Sequence, residues 1–74
     1  MACINPEGKP TETGKKVLKA LRDNRLSTVE KIAETAGVAL FRVRSGLRDM
    51  TEAELVVMVG DKYDITEKGI KLIE

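Results

Sequence analysis

Five residues between positions 32 and 50 restrict this chain more than any other feature. Ala33, Gly37, Val43, Leu47 and Met50 stand at offsets of zero, four, ten, fourteen and seventeen. A helix returns to one face every three or four residues, so Val43, Leu47 and Met50 form one apolar stripe, with Leu40 three residues before Val43. An earlier stripe holds Val29, Ile32, Ala33 and Ala36. Between them Gly37 can take left-handed backbone at no Cβ cost and so stops the first helix. The small Ala33 lets the two helices approach, and Val43 fills the angle between them. The spacing predicts two short helices packed across a tight turn, the second running from 39 or 40 to 50. Within it, Gly46 weakens the helix by about 1 kcal/mol relative to Ala, and is expected to let another backbone pack closely.

The flanking sequence supplies the remaining elements. Pro10 is followed by Thr11 and Thr13, either of which can cap a helix carrying Val17, Leu18, Ala20 and Leu21 on one face. That helix is expected to end between Asp23 and Arg25. Leu26 then lies in a connector with room for a one- or two-residue strand. Ser27 and Glu30 read as a capping box opening the next helix. Thr51 reads as a further cap, followed by a short helical continuation or turn. The period then changes. Leu55 to Val59 is a largely β-branched run, Gly60-Asp61 is a turn signal, and residues 62–65 make a return strand, so the pair reads as a hairpin. Residues 66–74 form one or two helical turns. Thr-Glu-x-Gly-x-Lys occurs at both Thr11 and Thr66, which reads as a repeated helix-start device.

With 74 residues the chain is one domain, read here as a flexible segment over 1–10 and a folded unit over 11–74. One Phe, one Tyr and no Trp leave the core to aliphatic side chains. No apolar run is long enough for a membrane span or a signal peptide, so a cytoplasmic location without membrane contact is expected. Cys3 is the sole cysteine and His is absent. An internal disulfide and a zinc cluster are therefore excluded, and Cys3 reads as a free thiol. With neither metal cluster nor phosphate loop, and no cleft expected at this size, the chain reads as no enzyme and as needing no cofactor.

Three pieces in order carry a resemblance: the 32–50 spacing, the 55–65 hairpin, and Tyr63-Asp64-Ile65-Thr66-Glu67-Lys68-Gly69, similar to a Tyr-x-Leu-Thr-x-x-Gly phrase. Together, over residues 11–74, they resemble the winged helix-turn-helix superfamily of small bacterial and archaeal transcriptional regulators. The resemblance implies an α+β, mostly α fold: a three-helix core, a C-terminal two-stranded β-hairpin wing and a short final helix. It implies double-stranded DNA as partner, with residues 39–50 as recognition helix in the major groove. The family usually has Gly ahead of the first wing strand, where Glu54 stands here. Many members continue into a long dimerisation helix. None is read up to Glu74, so a monomer or weak homodimer is expected.

Charge is divided along the chain. Residues 1–50 hold ten Lys/Arg against six Asp/Glu, and residues 51–74 three against six. With Val43 inward at about 100° per residue, Phe41, Ser45 and Arg48 fall on the far side of the third helix, flanked by Arg42, Arg44 and Asp49. Arg42 and Ser45 are the base-reading candidates, since Arg can engage guanine bidentately. Arg44 and Arg48 are assigned to phosphates, unless Asp49 pairs with one of the arginines. Ser27 and Thr28, at a helix N-terminus, suit a phosphate, and Lys62 can reach a groove or phosphate from the wing. The wing tip is otherwise acidic, with Asp61 and Asp64. Phe41 is expected to fold back under the wing or into the core edge. Left exposed, it fits a thymine methyl or a protein partner. The expected function is sequence-specific or general DNA binding. The alternative is a protein-interaction module using the third helix and Phe41.

Overall fold

Three helices begin on a threonine, and the threonines decide where they begin. The computed structural model describes Ile4 and residues 9–74; Cys3 lies outside them. Thr11 caps α1 (Glu12–Asp23), Thr28 caps α2 (Val29–Ala36) and Thr66 caps α4 (Glu67–Ile73). Each hydroxyl accepts a hydrogen bond from the amide three residues on: Gly14 at 3.2 Å, Lys31 at 3.2 Å and Gly69 at 3.1 Å. The bond satisfies one of the donors that a helix start leaves unpaired. The repeated phrase at Thr11 and Thr66 is thus one device used twice. α3 (Leu40–Glu52) differs: Ala39 precedes it and offers no side-chain cap.

Two expected caps move. Ser27 does not cap α2. Its amide donates to the Tyr63 carbonyl at 3.0 Å and its carbonyl accepts from the Tyr63 amide at 2.8 Å. Its hydroxyl donates to the Asn24 carbonyl at 2.6 Å. Pairing with the sheet draws Ser27 into extended, buried backbone, so the cap falls to Thr28. Thr51 lies inside α3, where its hydroxyl donates to the Leu47 carbonyl at 2.7 Å. The strand-like position in the connector is therefore Ser27, while Leu26 beside it is about half exposed with φ 57°.

β1 (Val56–Val59) and β2 (Lys62–Ile65) form an antiparallel hairpin in the register Val56 to Ile65, Val57 to Asp64, Met58 to Tyr63 and Val59 to Lys62. Gly60, φ 66°, takes the first of the two turn positions, the glycine placement that suits the II′ class. The Ser27 bridge adds a third, one-residue strand beyond β2, so β1 is the outer edge. Val56 and Ile65 at the root are buried, whereas Val57, Met58 and Val59 are exposed, so the hairpin projects from the body as a wing.

The core is aliphatic. Val17, Leu18 and Leu21 of α1, Ile32 of α2, Val43, Leu47 and Met50 of α3, and Leu55, Val56 and Ile65 at the wing root are almost fully buried together. Val29, Ala33 and Ala36 pack at its margin. Leu40, expected on the inner face, is instead 38% exposed, at the first position of α3. Ile4, read as part of a flexible tail, joins this core and bridges Pro10.

Both helices of the central pair end on a left-handed residue and a six-to-one hydrogen bond. After α2, Gly37 is left-handed (φ 69°) and the Val38 amide reaches back to the Ala33 carbonyl at 3.2 Å. After α3, Glu54 is left-handed (φ 65°), with Leu55 N–H on the Met50 carbonyl at 2.8 Å and Glu54 N–H on that of Thr51 at 3.0 Å. This six-to-one and five-to-two pairing is the Schellman motif, which usually puts glycine where Glu54 stands. Leu55 then seats α4: its carbonyl accepts from the Thr66 amide at 3.0 Å and hydroxyl at 2.9 Å. At Gly69 a Cβ would run into that same carbonyl and come within 2.9 Å of Ile65 Cγ1.

Candidate nucleic-acid interface

Burying Val43, Leu47 and Met50 turns the opposite face of α3 to solvent. Phe41, Arg42, Arg44, Ser45 and Arg48 are all exposed. Asp49 is half-buried and pairs with none of the arginines. Among the described residues no ion pair involves Arg42, Arg44 or Arg48. Nor is any acidic residue found in the first turn of α3. Three guanidinium groups therefore stand on one helix with their donors open to water and available to anions.

Phe41 does not fold back under the wing. It is 74% exposed, the largest exposure of any bulky apolar side chain among the described residues. The same geometry that buries Val43 forces this, since position 41 is about 160° round the helix from it.

Arg44 and Arg48 border the wing. A cleft of about 480 Å³ runs between α3 and the hairpin, lined by these two arginines, by Met58 and Tyr63 of the wing, and by Val29 of α2, with Thr51 and Glu52 at its edge. Its existence departs from the expectation for so small a domain. Met58 and Tyr63 face each other in the register and thus share the cleft side of the hairpin. Lys62 alternates with Tyr63 and so stands on the other side of the sheet, away from the arginines.

Thr28 keeps its expected position at the start of α2, half-buried, with its hydroxyl committed to Lys31. Ser27 does not join the surface: it is 7% exposed, and its amide and hydroxyl are already used. The phosphate contact expected of it is corrected on that ground.

The acidic wing is less acidic than the sequence suggests. Arg25, half-exposed in the connector, forks onto Asp64: Nε donates to Oδ1 and Nη2 to Oδ2 at 3.2 Å, while Nη2 also reaches the Ile65 carbonyl at 3.3 Å. The Arg25 hydrogen bond, aided by the Ile65 and Leu26 amides, holds the Asp64 carboxyl below its ordinary value against the opposing effect of burial. Asp64 therefore fastens the wing to the α1–α2 connector and presents no free charge. Sequence reasoning missed this pair. Its members lie 39 residues apart, and no local pattern joins them.

The arrangement of α2, left-handed Gly37, α3 and a following hairpin decides the architecture. The fold is a winged helix-turn-helix. Known structures bear this out. The domain matches Bordetella bronchiseptica BpsR, a protein whose DNA binding is regulated by 6-hydroxynicotinic acid, with TM-score 0.84, 22% identity, and 92% of this chain and 53% of that one covered. It matches Lactococcus lactis ZitR with TM-score 0.76, 29% identity, and 88% and 48% covered. The chain thus spans about half the length of each. No family model and no curated protein matches it. In this winged helix-turn-helix, α3 is the helix that the fold leaves open on its outer face.

Proposed function

We propose that this domain binds double-stranded DNA as a small transcriptional regulator, with α3 in the major groove. The observation that carries the reading is the unpaired set Arg42, Arg44 and Arg48 on the open face of α3. The DNA binding of BpsR, whose solved chain has the same architecture, supports it. In this reading Arg42 and Ser45 address base edges. Arg44 and Arg48 hold phosphates from the α3 wall of the wing cleft, and the amide end of α2 at Thr28 takes a further phosphate. Lys62 contributes from the wing, on its other face. A cytoplasmic location goes with this function. One copy of the domain engages one half-site, as a monomer or weak homodimer.

The test is a titration of fluorescent duplex at about 50 and 200 mM salt. Each neutralised phosphate adds about 0.9 to the slope of log affinity on log salt. Changing Arg42, Arg44 and Arg48 to Ala together is expected to abolish tight binding and flatten the slope by about two, the share of the two phosphate arginines. Absence of binding at low salt, or binding indifferent to the triple change, overturns the reading.

A second reading, a protein-interaction module, is favoured by the exposed apolar side chains of Phe41, Val57, Met58 and Val59. A nuclease-treated pull-down separates the two. Capture that survives nuclease and is lost on Phe41→Ala supports the protein partner.

A further inference from the structure

We infer that Phe41 reads the C5-methyl group of a thymine, so that the duplexes this domain prefers carry a thymine opposite the first turn of α3. The inference rests on the docking of α3 against DNA. Phe41, Ser45 and Arg48 follow one another at spacings of four and three, along the line of α3 directly opposite Val43. Phe41 stands at the N-terminal end of that line. In helix-turn-helix docking it is the N-terminal part of the recognition helix that approaches the base edges.

A phenyl ring there can neither donate nor accept a hydrogen bond. The edges of the four base pairs in the major groove present donors, acceptors and one apolar group, the thymine methyl. Of these, only the methyl is stabilised by contact with the ring. The surroundings permit the approach, since Ala39 is a small uncharged neighbour and the first turn of α3 has no carboxylate to repel the DNA. Folding does not explain the ring, because it contributes nothing to the buried cluster.

The test uses the full chain and a duplex recovered from random sequence by selection for binding. Each thymine is replaced in turn by deoxyuridine, which keeps the pairing and removes only the methyl. One or two replacements are expected to weaken binding about fourfold, the worth of one buried methyl-sized group. Phe41→Ala, whose thermal unfolding should match the parent, is expected to bind thymine and deoxyuridine duplexes equally. Indifference of the parent to every replacement overturns the inference, as does sensitivity that persists in Phe41→Ala. Recovery of no duplex overturns it together with DNA binding. The triple arginine variant separates the two failures. If it loses the duplex while deoxyuridine has no effect, DNA binding stands and thymine readout falls.

Discussion

Glu54 and Gly37 occupy matching positions after the two central helices, yet only one of them is glycine. Left-handed backbone costs a residue with a Cβ about 1–2 kcal/mol, part of which glycine's greater freedom in the unfolded chain offsets. Nothing crowds the Gly37 position, so Gly37→Ala should lose about 1 kcal/mol through backbone strain alone. Glu54→Gly should gain up to about 1 kcal/mol. Urea unfolding of both variants checks the pair, and opposite signs are the expected result. Asp64 makes a second prediction at this scale. Its carboxyl is held below the ordinary 3.8 by the folded state, chiefly by Arg25. Its contribution is therefore present in full above that value and is lost as pH falls through the lower folded one. The urea midpoint of Asp64→Asn should vary less with pH than the parent's below about pH 4, and converge on it in acid.

At the scale of elements, α3 is the helix whose stability and exposure conflict. α1, α2 and α4 each have a threonine cap, and α3 has Ala39. Ala39→Asp supplies both a cap and a negative charge at the positive end of the helix, and should stabilise the fold by about 1 kcal/mol. In the proposed docking of α3 the same charge faces phosphates. The variant should therefore melt higher and bind duplex more weakly, which paired melting curves and titrations will reveal. The wing shows a related division. Its root is fixed by Val56, Ile65 and the Arg25–Asp64 fork, while Val57, Met58 and Val59 of β1 stay exposed. The root is thus held from two sides, by the α1–α2 connector through Arg25 and by the end of α3 through the Leu55 amide on the Met50 carbonyl.

For the whole molecule, the fold presents one open helix, which the proposed function places in one groove. A DNase footprint on a selected duplex is expected to protect about one helical turn, near 10 base pairs, for each bound copy. Two protected turns in register at the lowest protein concentration that binds would instead indicate a preassembled dimer. Much of this architecture was legible in the sequence. Helix periods, the Gly37 stop and the Gly60-Asp61 turn depend on neighbours three or four residues away, and such local constraints survive in the one-dimensional pattern. The helical wheel likewise put Arg42, Arg44, Ser45 and Arg48 on the outer face of α3, because one buried stripe fixes the rest of the helix. The same wheel put Phe41 outside, and expecting an aromatic to be buried ran against it. Geometry prevailed because the backbone of α3 was already committed by Val43, Leu47 and Met50. What the tertiary structure alone decided involves partners far apart in the chain. Ser27 left its cap for Tyr63, Arg25 neutralised Asp64, Ile4 entered the core, and Leu55 set the seat of Gly69. Each depends on a contact closed across the fold, where no spacing rule in the sequence records which residues will meet.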